Sequence, residues 1–311
     1  MVTLQRYNET LFNTWNGLNE HAKNGIFLFD RNYMDYHADR FEDHSYLFYK
    51  GEELLALFPA SVKDGIVTSH GGLTYGGFIL HTRATADFVL ESFTCLLQHL
   101  KSDGLHSLIY KVIPYIFHKL PAQEDLYALF RNKAQLIRRD ISSVIDLSTK
   151  PNYTKGTKYN ISKARKSDLQ VVPSMDFEKF MAIEEELLMR KYRTKPTHSP
   201  SEMLLLANRF PENINLLMVY KESNCLGGTI LFLMGHVVHT QYIGITDEGK
   251  LVGALDVLTD YLINRFSTTH KYFSFGISTE QNGELLNEGL IRNKESFGAR
   301  AITNDFYKLE L

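Results

Sequence analysis

Three stretches of this chain place groups that can do chemistry close together. The first is Phe273-Ser-Phe-Gly-Ile-Ser-Thr-Glu-Gln-Asn-Gly283, an apolar run that turns into a polar, glycine-containing loop. Ser278, Thr279, Glu280, Gln281 and Asn282 can all meet a ligand there, and loops at the ends of buried strands are where α/β proteins place their sites. The second is Ser69-His-Gly-Gly-Leu-Thr-Tyr-Gly-Gly77, whose glycines let the backbone approach another group closely. Ser69, His70 and Tyr75 are its candidate substrate contacts; the alternative is a wide turn whose aromatics cover the core. The third is His236 to Thr246, read as a strand. Strict alternation puts His239 and Gln241 on one face and Thr240 and Tyr242 on the other. A histidine side chain has an intrinsic pKa near neutrality, so His239 is the candidate to take a proton, and Tyr242 the candidate to give one. A hydrogen-bonded core histidine is the competing reading. Glu280 is the rival base.

Cations complete the inventory. Lys195 and His198 lie in a loop between two expected helices, and Arg292 and Lys294 near the end of another. Lys294 can pair with an anionic acceptor, or it can decorate a helix C-terminus, the reading preferred for Arg292. Lys150 to Asp168 carries six Lys and Arg residues and is expected to hold a helix from Lys158, most simply a solvated one.

The elements that must position these groups recur. The first half reads as strand, two helices, three strands (45–50, 53–61, 65–69), the glycine stretch, helix 84–101, strand 105–113, helix 121–132 and strand 135–147. The second reads as strand 169–173, helices 176–190 and 199–209, strands 214–221, 225–234 and 236–246, helix 252–266, strand 270–276, helix 285–297 and strand 299–311. The shared order at an offset of roughly 165 residues predicts a duplicated α/β (α+β) fold. The expected domains are 1–150, a connector 151–168, and 169–311.

Composition narrows the class. The chain has 311 residues, 44% hydrophobic and 23% charged, with a net charge of −2. That balance suits a globular protein and offers no global field for DNA. Cys95 and Cys225 lack metal or redox spacing, the histidines are scattered, and a reduced, cytoplasmic setting is expected without a metal. Residues 225–246 hold no Asp, Glu, Lys or Arg, yet four glycines and two histidines interrupt them. A buried hairpin turning at Met234-Gly235 is expected there, not a membrane span. Rossmann, Walker and nucleophile-elbow motifs are absent.

Local motifs add a family. Gly289-Leu-Ile-Arg-Asn-Lys-Glu-Ser-Phe-Gly298 resembles the end signature of Fem-type aminoacyl and peptidyl transferases, and Tyr159-Asn-Ile-Ser-Lys-Ala-Arg-Lys166 resembles the basic helix those proteins carry before their second domain. The segments 69–77, 195–198 and 239–243 are similar to parts of Fem-related proteins associated with bacterial surface polysaccharides. The chain thus resembles the Fem-type branch of the GNAT N-acyltransferase superfamily, with tandem GNAT-like domains. Each would be a mixed, splayed sheet flanked by helices, the first for acceptor recognition and the second for the acyl donor.

The resemblance implies transfer of an acyl group from acetyl-CoA or another acyl-CoA to an amine of an amino sugar or cell-envelope polysaccharide precursor. His239 and Tyr242 would face the acyl group, Glu280 the rival base. Lys250, Leu251, Val252, Gly253 and Ala254 would cradle the pyrophosphate. Ser69, His70, Tyr75, Lys195, His198, Gln241, Ser278 and Lys294 would contact the acceptor. Leu255 stands where the family's phosphate loop has a small residue, and Ser274 where many members have Asp. An aminoacyl-tRNA donor is the first alternative, though the long helical arm of the tRNA-dependent enzymes has no counterpart in 176–209. A non-catalytic binding protein is the second.

Overall fold

A computed structural model describes residues 1–311. The chain forms two compact units. One comprises Met1–Ile141, Thr279–Leu285 and Thr303–Leu311; the other Ser142–Ser278 and Leu286–Ile302. The sequence places its boundary in 151–168. The units instead divide inside the strand Gln135–Asp146, and two later segments return to the first unit.

In the first unit, Val2–Arg6, Tyr46–Lys50, Glu53–Phe58 and Ile79–Leu80 form an antiparallel sheet. The expected strand 53–61 breaks at Pro59-Ala60, and Ser61–Lys63 begins a new one. Proline has no N–H for a ladder. Ser61–Lys63 pairs with Ile66–Thr68, which runs parallel to Ser107–Lys111 through three register pairs, Ile66↔Ser107 to Thr68↔Ile109. A parallel pair needs a crossover, supplied by the helix Ala86–Ser102. Its Phe88, Val89, Phe93, Leu96 and Leu100 recur at helical spacing and are buried with Phe48, Phe58, Phe78 and Tyr110.

In the second unit, Leu169–Ser174, Ile214–Lys221, Asn224–Met234 and Val237–Ile245 form an antiparallel meander. The hairpin turns at Gly235, whose φ is +63°, as its glycine and β-branched content predicts. No helix is long and apolar enough to cross a membrane. The helix Ala254–Phe266 crosses over to Tyr272–Ile277, which lies parallel to Val237–Ile245 through Val237↔Tyr272, Val238↔Phe273 and His239↔Ser274. Leu258, Leu262 and Ile263 of that helix pack on Val219, Leu231, Val238 and Phe273.

The fold is therefore mixed α/β, with sheets flanked by helices in both units, and each unit holds one parallel pair of three register steps.

Candidate functional site

In the second unit the strands Val237–Ile245 and Tyr272–Ile277 part after His239 and Ser274. Gly276, with φ +72°, turns the second strand away, and a Cβ there would lie 3.3 Å from the His239 ring. The first strand runs on to Ile245, so its edge beyond His239 faces a gap.

A bulge decides what lines that gap. Ile230 pairs with Tyr242 but Leu231 with Thr240, so Gln241 is an extra residue. Phe232 pairs with His239, and Ile230 and Phe232 share a face. His239 and Tyr242 therefore point to the same side, with Gly244 opposite Gly228. This corrects the strict alternation, which separates His239 from Tyr242. One inserted residue reverses the alternation beyond it.

The helix Phe177–Tyr192 packs against this strand. Its buried positions are Phe177, Phe180, Met181 and Glu184, at helical spacing. The fourth is a carboxylate, 8% exposed, with Oε2 lacking a hydrogen-bond partner. A Cβ on Gly244 would lie 2.7 Å from that oxygen, so glycine there lets the carboxylate lie over the strand. Burial pushes the Glu184 carboxyl up to about 7. Sequence reasoning missed Glu184, although an acid on an otherwise apolar stripe is a readable signal.

Tyr242 adjoins it. Its hydroxyl accepts the His198 N–H at 3.3 Å and lies 2.7 Å from His198 Nδ1, placed to donate to it. Thr197 and Gln241 also bond to it. Burial raises the phenol further from ionisation, so it stays a proton donor at neutral pH. The sequence-predicted His198, Gln241 and Tyr242 are thus brought together.

On the other side of the gap, Lys294 points inward from the helix Glu288–Ser296, sharing its buried side with Ile291. Its Nζ donates to the carbonyls of Gly276 at 2.9 Å and Ile277 at 2.6 Å. Burial lowers the ammonium to about 7. It is no helix-end decoration, whereas Arg292 is exposed and bonds Glu288. Ser278 is buried with a partnerless Oγ, and its carbonyl accepts the Asn287 N–H.

His239 is buried, its Nδ1 3.1 Å from Ser274 Oγ. Burial, then the charge of Lys294, lowers the imidazole to about 4. It is neutral at pH 7 and a weak base, which speaks against the expected catalytic role. Glu280 lies with Thr279 in a segment that belongs to the first unit. Lys195 is exposed and paired with Glu185 at 2.8 Å.

The expected phosphate loop looks different. Asp247–Val252 is a helix capped by Thr246, Gly253 takes φ +78°, and a second helix starts at Ala254. A Cβ on Gly253 would lie 2.7 Å from Ala164 Cβ, so its lack of a side chain serves packing on the helix Lys155–Ala164. Ala254 is buried and Leu251 is 84% exposed. Lys250 is held by Asp247 at 2.8 Å. Asp247 and Glu248 occupy the first turn of one helix; Asp256 occupies that of the other and accepts its own N–H. Residues 250–254 therefore fit a pyrophosphate poorly, because carboxylates already sit at both helix starts.

In the first unit, Ser69, His70 and Tyr75 are each at most 3% exposed. Ser69 Oγ accepts the Lys111 N–H at 2.7 Å, and Tyr75 packs on Phe117 at 4.8 Å. The glycines are explained by the molecule's own atoms: a Cβ would lie 2.0 Å from His37 at Gly72, 1.8 Å from the Ser69 carbonyl at Gly76 and 2.6 Å from Tyr110 Oη at Gly77.

No protein-family model matches the sequence, and no curated protein sequence matches it. Solved structures do match. FemX superposes with a TM-score of 0.69 at 9% identity, over 99% of this chain and 97% of that one. L-PGS from Bacillus licheniformis gives 0.57 at 12% identity, over 86% and 83%. A tandem GNAT protein from the clavulanic acid biosynthesis pathway gives 0.54 at 10% identity, over 100% and 98%. The fold is a Fem-like tandem GNAT fold.

Proposed function

We propose that this chain is an N-acyltransferase whose chemistry takes place at the gap between the His239 and Ser274 strands. The observation that carries the reading is a buried carboxyl near 7 and a protonated phenol at a strand that has just lost its pairing, with a buried amine near 7 on the carbonyls of the strand that leaves it. Perturbed groups of this kind cluster at working sites.

An activated carbonyl enters beside the unpaired edge of the His239 strand. The acceptor amine attacks its carbon, and its proton passes to the Glu184 carboxylate. A C–N bond forms while the C–S bond of a thioester, or the C–O bond of an ester, breaks. Tyr242 protonates the leaving group, and the proton left on Glu184 then passes through solvent to the Tyr242 phenolate, so both groups return to their starting state. Lys294 faces the oxyanion, the kind of placement that supplies much of the rate enhancement in such reactions.

The acceptor is an amino sugar or a related cell-envelope precursor, taken from the resemblance to polysaccharide-associated Fem-type proteins. An acyl-CoA is the first donor reading. Its pyrophosphate would be held elsewhere than residues 250–254. An aminoacyl-tRNA is the second, favoured by those carboxylates and by the exposed Lys155, Lys158, Lys163 and Lys166 on one helix and its end. Calorimetric titration separates them: saturable acetyl-CoA binding supports the first, and salt-sensitive binding of charged tRNA the second. If neither binds, and Glu184→Gln, Tyr242→Phe and Lys294→Met all retain the cellular phenotype, the protein is a non-catalytic GNAT-like binding protein instead.

A further inference from the structure

The first unit exposes nine large hydrophobic side chains, and six fall within 115–137: Tyr115, Leu120, Tyr127, Phe130, Leu136 and Ile137. Phe130 is 75% exposed. The helix Glu124–Arg131 buries Asp125, Ala128 and Leu129 and turns Tyr127 and Phe130 outward, their rings stacked at 6.5 Å. Its end is tied to the next strand by the Ala134 N–H on the Leu129 carbonyl, and Gln135, Leu136 and Ile137 are exposed on both faces of that strand's start. Leu120 is held close by, because the Lys23 carbonyl accepts the N–H groups of Lys119 and Leu120 while Lys23 Nζ bonds Glu124 at 2.5 Å.

Along the chain from the helix into the strand the charges have one sign. Residues 126–139 contain no Asp or Glu. Arg131 and Lys133 are exposed and no carboxylate pairs with them, whereas Arg138 and Arg139 are neutralised by Asp140 and Asp305. The nearby Glu124 is spent on Lys23, and Asp125 is buried under Tyr110. Aromatic rings and aliphatic side chains flanked by cations that no carboxylate neutralises match the boundary between lipid headgroups and acyl chains, where rings sit at headgroup level and cations meet anionic lipid.

We propose that this projection, centred on Phe130, docks the protein peripherally on an anionic membrane surface. The proposal is independent of the transfer chemistry, because no residue of the second-unit site takes part. A lipid surface accounts for the aromatic tip and the cations together.

The test is co-sedimentation of the full chain with phosphatidylcholine vesicles, with and without phosphatidylglycerol, at low and high salt. Expected is binding to the anionic vesicles only, weakened by salt. Arg131→Gln with Lys133→Gln should weaken partitioning about 30-fold, at roughly one cation's contribution each. Phe130→Glu should abolish it. All these side chains are exposed, so the melting midpoint should not move. Equal binding by Phe130→Glu, or no binding to anionic vesicles at low salt, overturns the proposal. So does a concentration-dependent dimer that Phe130→Glu disperses without any vesicle binding, which would make the patch a self-association surface.

Discussion

Each unit holds one parallel strand pair that runs for three register steps and then lets go, and the two releases are closed differently. In the first unit the main chain closes it at once: the Ser69 N–H bonds the Ile109 carbonyl, Ser69 Oγ takes the Lys111 N–H, and the glycine-rich segment folds back until the Phe78 N–H reaches Tyr110 Oη. Lys111 is buried there with its amine on the Leu73 carbonyl. In the second unit the ladder between the two strands ends at His239 and Ser274. A side chain, Lys294, satisfies the carbonyls of Gly276 and Ile277, and Glu184 lies near Tyr242 on the His239 strand. A backbone plug is permanent, whereas a side-chain plug whose amine titrates near 7 can exchange those carbonyls for a ligand. One scaffold thus yields a packed core in one unit and a candidate site in the other.

The largest effect should come from attacking the backbone plug. Gly76→Ala puts a Cβ 1.8 Å from the Ser69 carbonyl oxygen and should cost about 3 kcal/mol or more in urea unfolding. Gly276→Ala strains only a positive φ with a contact of 3.3 Å, and should cost roughly 1–2 kcal/mol. Equal costs would erase the contrast. Next, Lys294→Met should lower kcat/KM for amine acylation by about 100-fold, while Lys111→Met should stay within about twofold. Both amines are buried and lowered to about 7, so equal losses would mean that burial alone, not the gap, matters.

Glu184→Gln should change pH dependence more than stability at any one pH. The native carboxyl titrates near 7, above its unfolded value, so its stabilising contribution is full below about 4.5 and lost as pH rises through 7. The variant should therefore be more stable than the parent at pH 8, by at most about 3 kcal/mol, and no more stable at pH 4. Its acylation rate should also lose the rise through pH 7. Melting and rate profiles over pH 4–9 check both. The smallest effect belongs to Leu251→Ala, on a side chain that is 84% exposed. It should shift stability by less than about 0.5 kcal/mol and leave any acetyl-CoA titration unchanged.

Much of the scaffold is legible in the sequence because it rests on local pattern. The hairpin 225–246 announces itself through Gly235 and β-branched alternation, and the crossover helix through Phe88, Phe93, Leu96 and Leu100. The bulge at Gln241 is not legible, since one extra residue leaves no periodic trace in a nine-residue strand, yet it decides which face His239 and Tyr242 share. The helix 247–252 hides behind Gly249, which reads as a loop residue but is a glycine because the Leu226 carbonyl lies 2.5 Å from where its Cβ would be. Lys294 is visible as a candidate while its inward direction is not, because a helix-end cation has the same spelling in either orientation. Glu184 escapes for the opposite reason: a lone acid among Phe177, Phe180 and Met181 reads as an interruption of a core stripe.

The strand Arg300–Glu310 carries one more implication. Its last part lies in the first unit and pairs with Ser107–Lys111, from Phe306↔Lys111 to Glu310↔Ser107. During synthesis the early unit must therefore wait, with one side of a central strand bare, until Phe306–Glu310 have been made. Cutting the gene near codon 150 to obtain that unit alone would strand a sticky β edge. A circular permutant that brings residues 303–311 ahead of Met1 is the sounder route to it.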